Sequence, residues 1–269
     1  MFFTALRTLL NLSRRQIKEI ERKKIIYKWE KSRIPSLKQE NRTAHLLIVK
    51  NLRYVSISRI CISSFLNFNS TYKVLIHCDS ITYKSLIEEF SKSKFFPVIN
   101  ISLDQNDSDT WQRQKLNVIM RLNGSSDIFM DADLRWNSAL EQRNGITFLT
   151  REYEMSKRSP MRQIAKGLEH LYPKPYMYNS SYFSFGGCEV SVTQIDQLQA
   201  FFNEFETLLI HSDIGEEDVL FLSRLSEQIA LSLHAASWIA QLNTLKLEDS
   251  PRDGGVVEST YFGATGDAF

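Results

Sequence analysis

Apolar and polar positions change their spacing several times along the middle of the chain, and these changes predict alternating strands and helices. Apolar runs of about four to eight residues are typical of buried strands, whereas longer segments with apolar residues three or four apart are typical of helices. The strands are predicted at 44–49, 73–77, 96–103 and 128–130, and the helices at 54–68, 81–91 and 111–122. This order predicts an α/β domain with a mostly parallel, doubly wound sheet flanked by helices.

The pattern changes at both ends of the chain. Basic residues outnumber acidic ones over 7–33 and alternate with apolar residues at a partly helical spacing. This predicts a basic amphipathic helical extension, with its linker, over residues 1–40. Residues 1–33 could rest on an anionic membrane surface or pack on the domain. The α/β domain is expected over 41–247, and a mobile tail is expected over 248–269.

Two carboxylates one residue apart follow the fourth predicted strand. Ile128, Phe129 and Met130 lead directly into Asp131 and Asp133. Carboxylates that lie close together raise each other's pKa unless a cation or a donor compensates. Mg²⁺ and Mn²⁺ take one or two carboxylates and complete their coordination with water and phosphate oxygens, so the pair predicts a divalent metal site for a bound diphosphate. The alternative is a turn or a helix cap, which Asp also favours.

Composition limits the classes of protein that the chain can belong to. It has 269 residues, of which 43% are hydrophobic, and a net charge of +2. These values are typical of a globular protein, and no nucleic-acid partner is expected. Three widely spaced cysteines predict neither a disulfide framework nor a zinc cluster. The cysteines therefore favour a cytoplasmic location. The basic N-terminal segment could add a peripheral membrane contact. No apolar run approaches the roughly 20 residues of a membrane span.

The residues around the Asp pair resemble those of the GT-A fold glycosyltransferase superfamily. In that superfamily a helix with Arg or Lys precedes a hydrophobic strand that ends in Asp-x-Asp, as 111–116 and 128–133 do here. The segment 178–187 is similar to the acceptor-side strand, and 215–220 is similar to the acidic start of a later helix. The resemblance covers roughly 44–242, and it implies a nucleotide-sugar half up to about residue 137 and an acceptor half after it.

The resemblance also implies an activity and a cofactor. It implies transfer of a sugar from a nucleotide diphosphate donor, with a UDP-sugar as the first candidate, to a hydroxyl of a glycan or another acceptor. Mn²⁺ or Mg²⁺ is the implied metal. The stereochemistry stays open, because an acid acts as the base in inverting members and holds the acceptor or the sugar in retaining members.

The strand ends and the resemblance together name the candidate site residues. The candidate metal ligands are Asp131, Asp133 and, from the resemblance, His234. The candidate donor-binding residues are Arg113, Lys115, Asp131 and, at the end of the second strand, His77 and Asp79. The candidate acceptor-binding residues are Asn179, Ser180, Gly186 and Gly187. The candidate catalytic acids are Asp218 and Glu217, with Asp218 preferred because it lies next to apolar residues 219 and 220.

Each of these roles has a structural alternative. Acids at the start of a long helix, which is expected over 219–233, are favoured by the positive end of the helix dipole even without chemistry. Arg113 and Lys115 could form a solvated helix face. The residues after the second strand could cap the next helix, and the glycine pair could serve a turn.

Two other classes of protein also fit a strand followed by Asp-x-Asp. In haloacid-dehalogenase-type phosphohydrolases the first Asp is the nucleophile and the second is a general acid. That pattern continues with Thr or Val two residues after the second Asp, where this chain has Arg135. The other class is a non-catalytic binding domain that has kept the sheet and uses the basic N-terminal segment as its interaction surface.

Overall fold

Among the described residues, seven strands form a mixed sheet at the centre of the molecule. The computed structural model describes residues 24, 27, 42–141, 143–157, 160–162, 176–210, 215–238, 242–245 and 257–259. The sheet strands are β1 (Arg42–Ile48), β2 (Tyr72–Cys78), β3 (Ile99–Leu103), β4 (Ile128–Met130), β6 (Thr147–Glu154), β7 (Tyr176–Ser184) and β8 (Asn243–Thr244). The strands β5 (Leu134–Trp136) and β9 (Val257–Ser259) pair separately. The helices are α1 (Arg53–Phe68), α2 (Ser80–Phe90), α3 (Trp111–Met120), α4 (Val192–Ile210), α5 (Glu216–Arg224) and α6 (Ser226–Trp238).

The strand order is β3-β2-β1-β4-β7-β6-β8. The four strands β1 to β4 are parallel to one another, because each is joined to the next by a crossover helix. β7 runs antiparallel to both β4 and β6. The predicted mostly parallel α/β fold is therefore confirmed. The chain leaves β1 toward β2 and β3 and later returns to β4 on the other side, which creates a switch point of the kind where ligands bind.

Apolar side chains fill both faces of the sheet. Successive residues of a strand point to opposite faces, so Ile128 and Met130 of β4 join one hydrophobic cluster, which includes Phe65 of α1. Phe129 joins the other cluster, which includes Leu116 of α3 and residues of α4 and α6. Because helices cover both faces, the polar residues of the parallel strands are left to gather at the strand ends.

Two local predictions need correction. The single long helix expected over 219–233 is divided into α5 and α6, because the N–H of Leu225 bonds to the carbonyl of Leu222 and interrupts the α-helical pattern. The strand expected over 96–103 begins at Ile99, and residues Phe96–Val98 form a 3₁₀ turn. Pro97 favours this turn, since it has no N–H to donate to a neighbouring strand.

The chain ends agree only partly with the expectations. The predicted N-terminal extension and linker lie outside the described residues, apart from Lys24 and Tyr27, which are helical and exposed. Of the tail that was expected to be mobile, residues 257–259 form β9 and pair antiparallel with β5, directly after the Asp pair. These three residues thus pair with a strand of the domain, and the mobility expected for the tail stays a prediction. None of the described helices is long and apolar enough to cross a membrane.

Gly186 forms a close turn after β7, and its replacement is expected to be costly. It has a φ of +59°, and a Cβ there would lie 2.5 Å from the carbonyl oxygen of Gly145. Gly186→Ala should lower the free energy of unfolding by about 2 kcal/mol or more in a urea titration. Gly187→Ala is the control: Gly187 has a positive φ as well, of +80°, but its Cβ would meet nothing nearer than 3.8 Å, so it should lose less stability than Gly186→Ala. An equal loss in the two variants would contradict the argument from close contact.

Candidate active site

The Asp pair lies at the edge of the sheet where the parallel strands β1 to β4 have their carboxyl ends. Asp131 follows β4, and its N–H donates to the carbonyl of Ser181 in β7 at 2.7 Å, which anchors the turn. Asp133 is half-buried two residues further on. Burial, together with the negative charge of Asp131, raises the pKa of Asp133 to about 6. The two carboxylates are thus close enough to repel, as the sequence pattern predicted.

Lys115 supplies a buried positive charge beside this pair. Its side chain is 4% exposed, and its Nζ lies 3.0 Å and 3.1 Å from the two carboxylate oxygens of Asp131. The same Nζ lies 3.4 Å from Oε1 of Glu227. Burial alone would lower the pKa of Lys115, but the two carboxylates outweigh burial and raise it. Lys115 is therefore a fixed ammonium at the site.

Glu227, near the start of α6, is a site residue that the sequence reasoning missed. Its side chain is 2% exposed, and its Oε1 accepts a hydrogen bond from the Ser180 hydroxyl at 3.1 Å. Its Oε2 is buried without a hydrogen-bond partner among the described residues. Burial raises the pKa of Glu227, against the opposing effect of Lys115. One signal could have found it: Glu227 lies two residues before the apolar run that begins at Ile229, and a Glu at the start of a buried helix needs a partner.

A second polar group continues from this cluster along β6 and β7. The Asn179 amide donates to Oε1 of Glu152 at 2.9 Å, and the Gln228 amide donates to Oε2 of the same residue at 3.2 Å. Glu152 itself is exposed. Asn179 precedes Ser180, which bonds to Glu227. The structure thus brings together Asp131, Lys115, Glu227 and Ser180 in one cluster. The group around Glu152 is linked to it through the neighbouring backbone of 179–180 and 227–228. Of the predicted acceptor residues, Ser180 is fully buried in the first cluster.

The structure separates Gly186 and Gly187 from the Asp pair. Because β7 is antiparallel to β4, Tyr182 lies beside Met130, whereas Ser184 lies beside Ile128 at the start of β4. The glycines come after Ser184, and the N–H of Gly187 donates to the carbonyl of Ser125, before β4. Their predicted acceptor role is therefore corrected: they serve the turn at the opposite end of the strand.

His77 and Asp79 are held by protein partners. The Asp79 carboxylate accepts from the N–H groups of Lys50 at 2.6 Å and Thr82 at 3.0 Å, and it caps α2. The His77 ring bonds to Asp104 at 2.8 Å and to the His45 ring at 2.9 Å. The structural alternative thus describes the contacts of both residues, and their contact with a donor stays a prediction.

Arg113 and Lys115 point to different sides of α3. Residues two apart on a helix do not share a face. The Arg113 guanidinium pairs with Glu206 of α4 at 2.9 Å and lies over the ring of Phe202. Arg113 therefore joins two helices, whereas Lys115 lies beside the Asp pair. The donor contact of both residues stays a prediction.

The predicted third metal ligand does not join the Asp pair. His234 lies among aromatic side chains of α4 and α6, with ring centroids 5.4 Å from Phe201 and 6.3 Å from Trp238. The described part of the chain contains no group of three or more His, Cys, Asp and Glu residues that could hold a metal ion. The structure thus does not bring His234 to the Asp pair, and Asp131 and Asp133 as metal ligands stay a prediction. Two repelling carboxylates fit Mg²⁺ or Mn²⁺, which complete their coordination with water and phosphate.

The acids Glu217 and Asp218 lie in the first turn of α5. Glu217 is exposed and Asp218 is half-buried. The Gln112 amide donates to the carbonyl of Ser223 at 3.1 Å and ties α5 to the start of α3, the helix that carries Lys115. The two acids therefore lie on a helix that is bonded to the helix carrying Lys115. A catalytic role and a role at the helix dipole both stay open for them.

The pH dependence of stability is expected to reflect His234. Burial lowers its pKa from 6.5 to about 4. The unfolded chain therefore binds more protons between these values, so the contribution of His234 is complete above pH 6.5 and is lost as the pH falls toward 4. Asp133 has the opposite sign, because its pKa is raised. Thermal melts should show that His234→Phe loses less stability than the wild type on acidification, and parallel curves would contradict this assignment.

Comparisons with known proteins concern the fold. No protein-family model matches the sequence, and no curated protein matches it. The structure is similar to the PaToxG glycosyltransferase (14% identity, 85% of this chain and 79% of that chain, TM-score 0.45) and to mouse xyloside xylosyltransferase 1 (11%, 76% and 84%, TM-score 0.45). It is also similar to the galactosyltransferase LgtC in complex with donor and acceptor sugar analogues (9%, 82% and 87%, TM-score 0.47). The names of all three describe glycosyltransferases.

Proposed function

We propose that this protein is a glycosyltransferase that moves a sugar from a nucleotide diphosphate donor to an acceptor hydroxyl with the help of a divalent metal ion. The observation that carries the proposal is the meeting of Asp131, Asp133 and the buried Lys115 ammonium at the carboxyl end of β4. This is the switch point of the sheet, where α/β proteins bind ligands. A diphosphate suits such a site, because it can be attracted both by an ammonium and by a metal ion that carboxylates hold.

Asp133 is assigned as the main metal ligand and Asp131 as the second. Both oxygens of Asp131 already contact Lys115, whereas Asp133 is the carboxyl group whose pKa is raised by its surroundings. When bound, Mn²⁺ or Mg²⁺ would stabilise the negative charge that develops on the leaving diphosphate. Lys115 would add a fixed positive charge that needs no rearrangement during the reaction.

Glu152 and Asn179 are assigned to the acceptor side. Two amides hold the Glu152 carboxylate in one orientation while the side chain stays exposed. A carboxylate that is already oriented can accept hydrogen bonds from sugar hydroxyls at a small entropic cost. Ser180 is assigned an indirect role, because it is buried and bonded to Glu227.

Asp218 is assigned to the chemistry of the acceptor hydroxyl. Asp218→Asn is expected to lower turnover by roughly 10²- to 10⁴-fold with little change in nucleotide affinity. Glu216→Gln in the same helix turn is the control and should keep its activity. Turnover and melting temperature are measured on both variants. If Asp218 acted only on the helix dipole, Asp218→Asn would lose about 1 kcal/mol of stability or less and keep its activity.

A nucleotide screen tests the proposed function. The melting temperature of the full chain is measured with UDP, GDP, CMP and dTDP, each with and without Mn²⁺, and hydrolysis of the corresponding nucleotide sugars is then assayed. The expected result is one nucleotide that stabilises the protein only with metal, followed by slow metal-dependent release of its sugar. Hydrolysis of phosphomonoesters instead would favour the phosphohydrolase, and neither binding nor turnover would favour a non-catalytic domain.

A further inference from the structure

Lys115 divides its positive charge between two carboxylates that come from different parts of the fold. Asp131 follows a sheet strand at the ligand-binding edge, and Glu227 comes from the start of α6. Their nearest oxygens lie 3.0 Å and 3.4 Å from the same Nζ. The side chains of Lys115 and Glu227 are 4% and 2% exposed. Water therefore screens neither of them, and a change in one charge is felt by the others.

One ammonium is shared between two carboxylates in this cluster, because the Nζ of Lys115 contacts both Asp131 and Glu227. The Ser180 hydroxyl also donates to Glu227. Burial raises the pKa of Glu227, whereas Lys115 and Ser180 oppose burial and favour the carboxylate form. A divalent cation held by Asp131 and Asp133 would compete with Lys115 for Asp131, and Glu227 holds Lys115 from its other side.

We propose that Glu227 is a positioning residue that sets the affinity of the Asp pair for a divalent cation, by drawing the Lys115 ammonium and part of its charge away from Asp131. This inference rests on the proposed function, because it assumes a metal ion at Asp131 and Asp133. It adds a residue that lies outside the Asp-x-Asp pattern and does not itself belong to the pair. Glu227 thus affects how strongly Asp131 is neutralised before any metal arrives.

The charge argument predicts opposite changes in Mn²⁺ affinity for substitutions of Glu227 and of Lys115. Glu227→Gln removes a negative charge and leaves the whole ammonium to Asp131, so Mn²⁺ affinity should fall about tenfold. Lys115→Met removes the competing cation, so Mn²⁺ affinity of the folded variant should rise. The double variant loses one charge of each sign and should bind Mn²⁺ within about threefold of the wild type. A loosened structure would instead weaken Mn²⁺ binding in all three variants.

Mn²⁺ binding to the full chain, without nucleotide or acceptor, provides the test. The free Mn²⁺ signal is titrated by electron paramagnetic resonance, and circular dichroism at the same temperature verifies that each variant is folded. Glu227→Asp keeps the charge and should stay within about threefold of the wild type. Glu206→Gln is the matched control, since Glu206 pairs with Arg113, which lies on the same helix as Lys115. It should leave Mn²⁺ affinity unchanged.

The outcomes separate this inference from the proposed function. If the wild type binds Mn²⁺ and Glu227→Gln binds it equally well, the inference is overturned while the metal-dependent transferase stands. If Glu227→Gln and Lys115→Met both weaken binding, the role of Glu227 is structural and the inference is again overturned. If the wild type binds no Mn²⁺ with or without nucleotide, the metal site of the proposed function and the inference fail together. Opposite shifts in the two single variants, with recovery in the double variant, support it.

Discussion

Asp133→Asn is expected to abolish metal-dependent nucleotide binding while leaving the fold intact. An amide has no charge and offers one acceptor oxygen, so it holds a divalent cation poorly. Folding should not suffer, because burial and the charge of Asp131 already disfavour the ionised form of Asp133. Turnover is expected to fall by about 10³-fold or more. The measurements are the Mn²⁺-dependent rise in melting temperature with the cognate nucleotide and the initial rate of sugar transfer.

The control for this variant is an exposed carboxylate away from the site. Asp196 lies on the exposed side of α4, and Asp196→Asn should keep both nucleotide binding and turnover. Full Mn²⁺-dependent stabilisation in Asp133→Asn would remove Asp133 from the metal site and, with it, the proposed mechanism.

Lys115→Met is expected to produce the largest loss of stability among the site variants. It leaves the buried carboxylate of Glu227 without its cation and removes the partner of both oxygens of Asp131. Removing one member of a buried ion pair typically costs about 3–5 kcal/mol, since the remaining charge stays desolvated. Urea titrations should therefore show a large drop in the unfolding midpoint. Mn²⁺ should restore part of the loss, because it would supply a cation to Asp131.

Two further variants identify the cause of that loss. Lys115→Met combined with Glu227→Gln removes the unpaired charge and should recover much of the stability. Arg113→Met is the matched control on the same helix. Arg113 is 38% exposed and pairs with Glu206, so its removal should cost less than about 1 kcal/mol. Equal losses for Lys115→Met and Arg113→Met would contradict the assignment of Lys115 and Glu227 as a buried ion pair.

The local pattern of the sequence was enough to predict the parallel half of the sheet. β1, β2 and α1 begin and end within two residues of the predicted positions, because the spacing of apolar residues within one element reports directly on its geometry. The same reasoning found Asp131 and Asp133, since two carboxylates one residue apart at a strand end form a local feature. Their roles as metal ligands remain a proposal.

Local patterns were not enough where the role of a residue depends on its partner. Arg113 and Lys115 looked equivalent as cations of one helix, yet one pairs with Glu206 on α4 and the other with Asp131 and Glu227. His77 likewise bonds to the ring of His45 in β1 and to the carboxylate of Asp104 just after β3. A cation or an imidazole in a sequence does not show which residue will lie opposite it, because that depends on how the elements pack.

The sequence by itself determined the alternation of strands and helices, the α/β class and the position of the Asp pair at the end of a buried strand, since each follows from residues close together in the chain. Only the tertiary structure decided the rest of the site. The antiparallel course of β7 brings Ser180 to the cluster and carries Gly186 to the opposite end of β4. The start of α6 brings Glu227 within 3.4 Å of Lys115. These contacts join residues distant in the chain, and the packing of the whole sheet and its helices decides which of them meet.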